Sequence, residues 1–349
     1  MTKVDLKSMD REELSRFVLS LSQPKFRAKQ IADFLRRGVS SFEEMHTLPA
    51  ALRKILEERA FLNQLTVERK LISRLDGTVK YLFRLMDGEC VETVLMRYHH
   101  GNTVCISSQV GCRMGCSFCA STIGGKVRDL TPSEMEEQVR MAALDTGERV
   151  DNVVVMGIGE PFDNFDNLLK FLYNVNDPER LGIGMRHITV STCGVIPGIR
   201  RLMEEELQLT LAISLHAADS EQRSRIMPVN ARYPLPELMD VCREYQRKTG
   251  RRMTYEFALI SGVNDDSETA KRLAALLKGQ LCHVNLIPVN PVKERGFSVP
   301  SAERIAQFQA VLEQHRIPAT VRRTLGADIN ASCGQLRRQT KQRGDELAK

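Results

Sequence analysis

Short apolar runs alternate with longer amphipathic segments along the chain from about residue 102 onward. The runs are continuous rather than alternating, which is typical of parallel strands that are covered by helices. Each run is followed by apolar residues at helical spacing, and this pattern predicts six strand–helix pairs and one last strand at 318–326. The strands are predicted at 103–108, 150–157, 186–192, 209–216, 253–260 and 283–290, and the helices at 132–147, 165–175, 197–207, 235–250, 267–279 and 301–315.

The residues before these pairs have a different pattern. Residues 11–60 have the apolar spacing of short helices, and Gly38 is predicted to end one of them. Aromatic and β-branched residues then flank the turn dipeptide Asp87-Gly88, which predicts a β-hairpin within residues 66–98. We therefore predict a small α+β accessory domain at 1–98 and an α/β domain at 99–349.

Six strand–helix units joined by right-handed crossovers give either an open parallel sheet or a partial (β/α)6 barrel. In both folds the sites lie at the carboxyl ends of the strands. The unusual polar and glycine-rich segments all follow predicted strands, at 107–122, 157–161, 191–194, 214–217 and 288–291. This shared position predicts one functional site on one face of the sheet.

The segment SSQVGCRMGCSFCAST, residues 107–122, contains Cys112, Cys116 and Cys119. A structural zinc site takes four protein ligands, and an ordinary [4Fe–4S] cluster takes four thiolates. Three thiolates therefore leave one position for a distant residue or for a ligand that is not part of the protein. The spacing alone leaves both a zinc site and an open [4Fe–4S] cluster as interpretations.

The composition is that of a soluble globular protein, with 42% hydrophobic and 27% charged residues among 349. The net charge of +6 permits a nucleic-acid partner without requiring one. The amino-terminal residues contain no apolar signal segment, and no apolar run approaches the roughly 18 residues of a membrane span. Nine cysteines, three of them clustered, fit a metal site in a reducing compartment better than a disulfide framework, so we expect a cytoplasmic protein.

Several single residues have both a structural and a functional interpretation. Glu92 lies in a predicted strand, where a carboxylate usually faces solvent, but burial near the site would suit it to proton transfer. Cys105 and Cys333 are either small buried residues or reactive thiols, and the polar segment around Cys333 disfavours core burial. The glycines of 157–161 are either tight turns or part of a ligand site. The same choice applies to the polar residues at strand ends, namely Ser191, Ser214, His216 and Asn290.

The spacing C-x3-C-x2-C, with Phe118 before the last cysteine, resembles the signature of the radical S-adenosylmethionine (SAM) superfamily. That resemblance implies a partial barrel and one [4Fe–4S] cluster, held by the three cysteines, whose open iron takes SAM. Further segments occur in the order seen in RlmN-type adenine-C2 methyltransferases of the RlmN/Cfr family, and they cover nearly the whole chain. They are VETVLMRY, ISSQVGCRMGCSFCAST, VMGIGEPFDN, RHITVSTCGVIPGI, AISLHA, RSRIMPVN, HVNLIPVNP and INASCGQLR.

The resemblance also implies a reaction. One SAM methylates Cys333, a second SAM bound at the cluster gives a 5′-deoxyadenosyl radical, and the resulting carbon radical on the methylated cysteine adds to the adenine ring. Glu92 matches the family's proton acceptor, and Cys105 matches the thiol that releases the methylated base by forming a transient disulfide with Cys333. The SAM contacts carry over to Gly159, Glu160, Ser191, Ser214, Leu215, His216 and Asn290.

The implied substrates are adenosine 2503 of 23S rRNA and, in many members, adenosine 37 of tRNAs, with an electron donor such as flavodoxin or ferredoxin. We expect a monomer. Basic residues fit an RNA partner, although a short basic run is more often simply a solvated face. They are Lys25, Arg27, Lys29, Arg36, Arg37, Arg322, Arg323, Arg337, Arg338, Lys341 and Arg343. Two positions depart from the family pattern, since Asn330 replaces a usual aspartate and Ser332 a usual alanine.

Two alternatives remain open. Methylation of adenine C8, as in the Cfr family, uses the same catalytic residues, while the segments NLIPVNP, CAST and GEPFDN favour the C2 enzymes. A protein of a different class, a non-enzymatic RNA-binding protein with a structural zinc site, would be colourless and would contain stoichiometric zinc.

Overall fold

The computed structural model describes residues 3–292 and 294–329. Its helices are α1 Arg11–Ser20, α2 Phe26–Arg36, α3 Ala50–Arg59, α4 Pro132–Thr146, α5 Phe165–Asn176, α6 Ile196–Glu204, α7 Ser220–Ile226, α8 Leu235–Thr249, α9 Ser267–Leu277 and α10 Ala302–Gln314. Its strands are β1 Val4–Asp5, β2 Ala60–Phe61, β3 Thr66–Ile72, β4 Val79–Arg84, β5 Cys90–Tyr98, β6 Gly101–Ile106, β7 Gln109–Gly111, β8 Lys126–Asp129, β9 Asn152–Val155, β10 Ile188–Thr192, β11 Thr210–Ser214, β12 Met253–Leu259, β13 Cys282–Pro288 and β14 Ala319–Val321. Short 3-10 turns lie at Leu6–Ser8, Ala120–Thr122, Pro161–Asn164, Met185–His187, Pro228–Ala231 and Ala327–Ile329.

Ten strands form one sheet in the order β14-β13-β12-β11-β10-β9-β6-β5-β4-β3. All neighbours from β6 through β9 to β14 are parallel, and each new strand is added on the same side of the last. Right-handed crossovers that all advance in one direction place the helices on one face and curl the sheet toward a barrel. The predicted α/β architecture is confirmed, and so are all six strand–helix pairs.

Two elements escaped the sequence analysis. Helix α7 follows the fourth parallel strand, β11, and α8 comes after it. Strands β7 and β8 pair as a separate antiparallel ribbon directly after β6, on either side of the three clustered cysteines. Both elements border the carboxyl end of the parallel sheet.

Local signals set the ends of α4, the longest helix that touches both parts of the chain. Thr131 and Glu134 form a reciprocal capping box, and Pro132 occupies the first turn. Gly147 ends the helix in the left-handed conformation at φ 66°, where a residue with a Cβ atom would be strained. These signals fix where the helix begins and stops against the sheet.

The amino-terminal helices have a hydrophobic core of their own, which extends from Leu6 to Leu62. Strands β3, β4 and β5 are not part of it, because residues of β4 and β5 such as Tyr81, Phe83 and Leu95 pack in the main core instead, and β3 has no buried residue. They extend the sheet through antiparallel pairing of β5 with β6. The packing therefore groups residues 66–98 with the α/β domain, whereas the sequence led us to expect a boundary at 98/99.

A buried polar network joins the amino-terminal helices to α4. Lys7 Nζ lies 3.0 Å from Glu137 Oε2, and both side chains are nearly inaccessible. Glu136 accepts ion pairs from Arg140 at 2.7 Å and from Arg180 at 2.6 Å, and Arg180 also donates to backbone carbonyls of the amino-terminal unit. Charged groups inside an interface need such mutual pairing, so the two units are docked in one defined orientation.

The sheet has a helix-covered face and an inner face. On β6, Val104 and Ile106 pack in the main core with the helices, while Cys105 points to the other side. Cys105 packs there with Val94 and Met96 of β5.

Within the part of the chain that the structure describes, no helix has the length and apolar character of a membrane span.

Candidate active site

A cavity of about 500 Å³ lies at the carboxyl ends of the parallel strands. Nearly every predicted polar or glycine-rich segment contributes to its wall. Its lining includes Cys105, Cys112, Cys116, Cys119, Gly157, Gly159, Glu160, Ser191, Ser214, His216, Glu256, Asn290 and Arg322. The structure thus brings together most of the site residues predicted from the sequence.

The cysteine loop is held at its base by the β7–β8 ribbon. Cys112 donates its backbone N–H to the carbonyl of Gly125 at 3.1 Å. Gly111 has a φ of 78°, and a Cβ atom there would collide with the Gly125 carbonyl oxygen. A glycine is therefore required where the loop leaves the ribbon.

The rest of the loop is fixed from both sides. Thr122 Oγ1 donates to the carbonyl of Cys119 at 3.0 Å, and Arg295 donates to that hydroxyl oxygen at 2.8 Å. On the other side, the Ser117 N–H donates to the carbonyl of Ile226, at the end of α7, at 2.9 Å. The backbone of the cysteine loop is therefore held from both sides by hydrogen bonds.

The thiols themselves are partly withdrawn from solvent. Cys112 and Cys116 are buried and Cys119 is half-buried. Burial raises the pKa of Cys112 to about 12, and burial also raises the pKa of Cys116. Within residues 3–292 and 294–329, no group of three or more His, Cys, Asp or Glu side chains could hold a metal ion as arranged. The three thiols share the cavity wall but do not form a ready-made site for a single ion.

The segment after β9 approaches the strand ends very closely. A Cβ atom at Gly157 would lie 2.6 Å from the carbonyl oxygen of Ile106, and one at Gly159 would lie 2.6 Å from Gln109 Cβ. Gly159 also has a φ of 112°, which favours glycine. Only residues without side chains allow this backbone to pack so closely against Ile106 and Gln109.

Glu160 is buried, and its carboxylate braces the next strand end. Its oxygens accept hydrogen bonds from Thr192 Oγ1 at 2.7 Å, the Cys193 N–H at 2.8 Å and the Phe162 N–H at 3.1 Å. Burial raises the pKa of Glu160, and these donors oppose that effect. Although Glu160 borders the cavity, its carboxylate oxygens accept hydrogen bonds from groups of the protein.

The next strands contribute two serines to the cavity. Ser191 is the penultimate residue of β10 and Ser214 is the last residue of β11, their hydroxyl oxygens lie 3.3 Å apart, and both line the cavity. Asn290 is exposed at the cavity wall. Leu215 has no side-chain access to it, because its side chain packs in the main core on the helix side.

His216 combines a strained backbone with a defined tautomer. Its φ of 57° is left-handed, and the Asn264 amide donates to its carbonyl at 2.9 Å. The ring Nδ1 accepts the Ala258 N–H at 2.9 Å, so the proton of the neutral ring is on Nε2. Burial, together with the charge of Arg223, lowers the pKa of His216 to about 3. The ring also packs edge-on against Phe118 of the cysteine loop, with centroids 4.9 Å apart.

The candidate proton acceptor and resolving thiol share the inner face of β5 and β6. Cys105 is opposite Val94 in the antiparallel register, and both line the cavity. Glu92 lies two residues from Val94 on the same face and is 2% exposed, so it does not face solvent. Cys333 lies outside the described residues.

Two buried charged residues were missed in the sequence analysis. Glu256, in the middle of β12, lines the cavity and accepts a hydrogen bond from the Asn285 amide at 2.8 Å. Burial raises its pKa, against the opposing effects of Arg322 and Asn285. Arg223 of α7 is completely buried and donates to the carbonyls of Cys193 at 2.6 Å and Leu215 at 3.2 Å. A lone carboxylate inside an apolar run was a usable signal for Glu256.

The basic residues lie in two places. Lys25, Lys29, Arg36 and Arg37 are exposed on or next to α2, and Arg27 is half-buried there. Arg322 and Arg323 are exposed and border the cavity. Arg337, Arg338, Lys341 and Arg343 lie outside the described residues, as do Asn330 and Ser332.

Comparison with known proteins agrees with this geometry. Residues 106–274 match the model of the radical SAM superfamily, and residues 4–62 match the ribosomal RNA large subunit methyltransferase N-terminal domain. The crystal structure of a radical SAM methyltransferase from Sphaerobacter thermophilus superposes with a TM-score of 0.90 at 44% identity, over 95% of this chain and 98% of that one. The fold is therefore that of a radical SAM methyltransferase.

Sequence relatives define the family more closely. A "probable dual-specificity RNA methyltransferase RlmN" of Alkaliphilus oremlandii is 52% identical over 97% of this chain and 99% of its own length. A protein of the same name from Clostridium acetobutylicum is 51% identical over 93% of this chain and 94% of its own. This chain belongs to the RlmN family of radical SAM RNA methyltransferases. Radical SAM enzymes carry a [4Fe–4S] cluster and use SAM, so both belong to this family's chemistry.

Proposed function

We propose that this chain methylates carbon C2 of adenosine 2503 in 23S rRNA and C2 of adenosine 37 in tRNAs. The observation that carries the proposal is the single cavity that three thiols, the close-packed glycines and Cys105 all border. The dual-specificity name of the relatives supports the two substrates. Methylation of C8 would need the same residues, so the identity of the product decides between the two carbons.

Cys112, Cys116 and Cys119 would hold a [4Fe–4S] cluster. Soft thiolates select iron–sulfur clusters or zinc, and the loop is already ordered by the ribbon, Thr122 and Ile226. In a [4Fe–4S] cluster each thiolate binds a different iron atom, so the three need not converge on one ion. The residues present therefore fit the cluster better than a single zinc ion.

The SAM contacts would come from the strand ends that line the cavity. Gly159 would bring backbone atoms to the ligand, Ser191 and Ser214 would offer hydroxyl groups, and Asn290 an amide. The neutral ring of His216 would keep that wall uncharged, while Glu160 and Leu215 would act by fixing the backbone beside them. When bound, the cluster and SAM supply the one-electron chemistry of the superfamily.

Three residues of the chain carry the methyl group and release the product in this proposal. Cys333 accepts a methyl group on its sulfur and transfers that carbon to the adenine ring. Glu92 accepts the proton that leaves the ring carbon. The Cys105 thiolate then attacks the Cys333 sulfur, so that a disulfide forms as the bond between that sulfur and the transferred carbon breaks; the carbon leaves with the bonding electron pair and takes up a proton to become the methyl group. The position of Cys105 and Glu92 on one face supports this division of roles.

The partners follow from the same proposal. The exposed basic residues of α2, together with Arg322 and Arg323 at the cavity mouth, would contact RNA phosphates. A small electron-transfer protein such as flavodoxin or ferredoxin would supply electrons. We further propose a monomer that works in the cytoplasm.

The first test is anaerobic reconstitution with iron and sulfide, followed by SAM and dithionite. A brown protein with absorbance near 400 nm that forms 5′-deoxyadenosine supports the cluster and SAM assignments. Cys119→Ala should lose both properties, whereas Cys282→Ala, a buried thiol remote from the loop, serves as the matched control. Colourless protein with stoichiometric zinc would instead favour the zinc-containing RNA-binding alternative.

The second test identifies the product and the resolving thiol. Liquid chromatography with mass spectrometry of nucleosides from treated 23S rRNA and tRNA, run against standards of the two isomers, should show 2-methyladenosine, and 8-methyladenosine alone would contradict the C2 assignment. Cys105→Ala should trap a covalent protein–RNA adduct because no thiol remains to form the disulfide. Normal turnover of that variant without an adduct would remove Cys105 from the reaction.

A further inference from the structure

Lys80 and Glu92 form a buried ion pair next to Val94, which lines the cavity. Lys80 Nζ lies 3.0 Å from Glu92 Oε2, and each side chain is 1% exposed. Lys80 is on β4 and Glu92 on β5. The register pairs Lys80 with Val94 and Leu82 with Glu92, so the ion pair crosses the two strands diagonally.

The residues directly across the strands from the pair are apolar. Its two cross-strand neighbours, Leu82 and Val94, are buried, and Leu82 packs with Cys90 and Leu71. Removing two charges from water is costly, and apolar residues of similar size often give equal or greater stability in such positions. Folding stability alone therefore does not explain why a lysine and a glutamate occupy this place.

The location suggests what the pair does. Val94 is opposite Cys105, and both border the cavity. Glu92 is the next residue of β5 on the same face, which makes it a diagonal neighbour of Cys105 across two adjacent strands. The lysine thus holds a carboxylate on the strand next to the candidate resolving thiol and on the same face of the sheet.

We propose that Lys80 is a positioning residue that keeps the Glu92 carboxylate ionised and fixed in place on the strand next to that of Cys105. The proposal rests on the proposed function, in which Glu92 accepts a proton from the adenine adduct. A buried carboxyl group without a cation takes up a proton from water, and a protonated carboxyl group cannot accept another. The ammonium group of Lys80 offsets the cost of burying the charged acceptor.

The test compares two substitutions of Lys80 with one elsewhere. Lys80→Met keeps the length of the side chain and removes its charge, whereas Lys80→Arg keeps the charge. Lys7→Met is the matched control, because Lys7 also lies 3.0 Å from a buried carboxylate, that of Glu137, in the interface with α4. If Lys80→Met does not fold, Lys80→Gln takes its place.

The first readout needs neither cluster nor RNA. Difference infrared spectra of the metal-free protein should show a protonated carboxyl C=O band in Lys80→Met that is missing from wild type and from Lys80→Arg. The band should vanish in the double variant Lys80→Met/Glu92→Gln, which assigns it to Glu92. A folded Lys80→Met protein without this band overturns the proposal.

The second readout follows release of RNA from the covalent adduct in a single turnover. Lys80→Met should slow release by roughly 10²-fold or more, the usual contribution of a proton-transferring group, while 5′-deoxyadenosine forms at the wild-type rate. Lys80→Arg should restore most of the release rate, and Lys7→Met should lower thermal stability without slowing release. Release at the wild-type rate by Lys80→Met overturns the proposal. Normal release by Glu92→Gln would instead refute Glu92 as the proton acceptor, and the infrared band would still decide whether Lys80 keeps it ionised.

Discussion

The protonation state of His216 gives the sharpest quantitative prediction. Burial, together with Arg223, lowers the pKa of this ring from an ordinary value of 6.5 to about 3. A shift of roughly 3.5 units corresponds to about 5 kcal/mol against protonating the folded protein. Because Nδ1 accepts the Ala258 N–H, we expect one neutral tautomer, with its proton on Nε2, across the physiological pH range.

The sign of the pH effect follows from this lowered pKa. Below pH 6.5 the unfolded chain binds a proton at His216 that the folded chain does not bind, so stability falls as the pH decreases toward 3. Between pH 8 and pH 5 this one group costs the folded protein about 2 kcal/mol. His216→Asn removes the titration, and asparagine tolerates the left-handed backbone that position 216 requires.

Histidine-selective ¹⁵N NMR of the metal-free protein measures the tautomer directly. The resonance that disappears in His216→Asn should keep the neutral Nε2–H position from pH 8 to pH 5. Urea midpoints of the two proteins should also converge as the pH falls, because only the wild type loses the contribution of His216. A resonance that titrates near pH 6.5 would refute the reasoning, since it would mean that the ring is solvated.

Two further substitutions test the glycine-lined wall and the basic helix. Gly159→Ala places a Cβ atom 2.6 Å from Gln109 Cβ, so we expect loss of SAM binding by calorimetry and destabilisation by roughly 1–3 kcal/mol. Gly147→Ala is the control, because Gly147 also has a positive φ but no close contact. Equal SAM affinities in the two variants would contradict the close-approach argument. Phe26→Ala removes an aromatic side chain that is 57% exposed among the basic residues of α2, and RNA affinity measured by filter binding should weaken by roughly 1–3 kcal/mol if a base stacks there. Leu19→Ala, an equally exposed control on α1, should leave that affinity unchanged, and equal effects of the two would argue against stacking.

The parallel sheet was predictable because its strands are buried on both faces. Continuous apolar runs such as those of β11 and β12 leave no ambiguity about their environment. Helix α7 was missed for the opposite reason, since its sequence, SEQRSRI, has little apolar periodicity. Its role depends on Arg223, whose burial against backbone carbonyls is a tertiary property that no local pattern contains.

The cavity residues were predictable by position, and their individual contacts were not. Alternation along a strand separates Ser214 from Leu215, but the left-handed His216 then changes the direction of the chain. An acidic side chain in a glycine-rich segment is typical of a ligand-binding residue, yet the carboxylate of Glu160 accepts hydrogen bonds from donors of the neighbouring strand. The hydrogen-bond partners of such a side chain depend on which strand lies next in the sheet. Glu256 shows that another buried carboxylate can line the cavity.

The two sides of β6 explain why residues 66–98 belong to the main sheet. On its parallel side, β9 and the strands beyond it supply the glycine-lined and polar walls of the cavity. On its antiparallel side, β5 and β4 supply Glu92 and Lys80, which act in the proposed steps after carbon–carbon bond formation. Cys105, on β6 itself, lies between these two groups. An antiparallel extension that formed a separate domain could not hold a proton acceptor at a fixed distance from this thiol, whereas backbone pairing within one sheet does so.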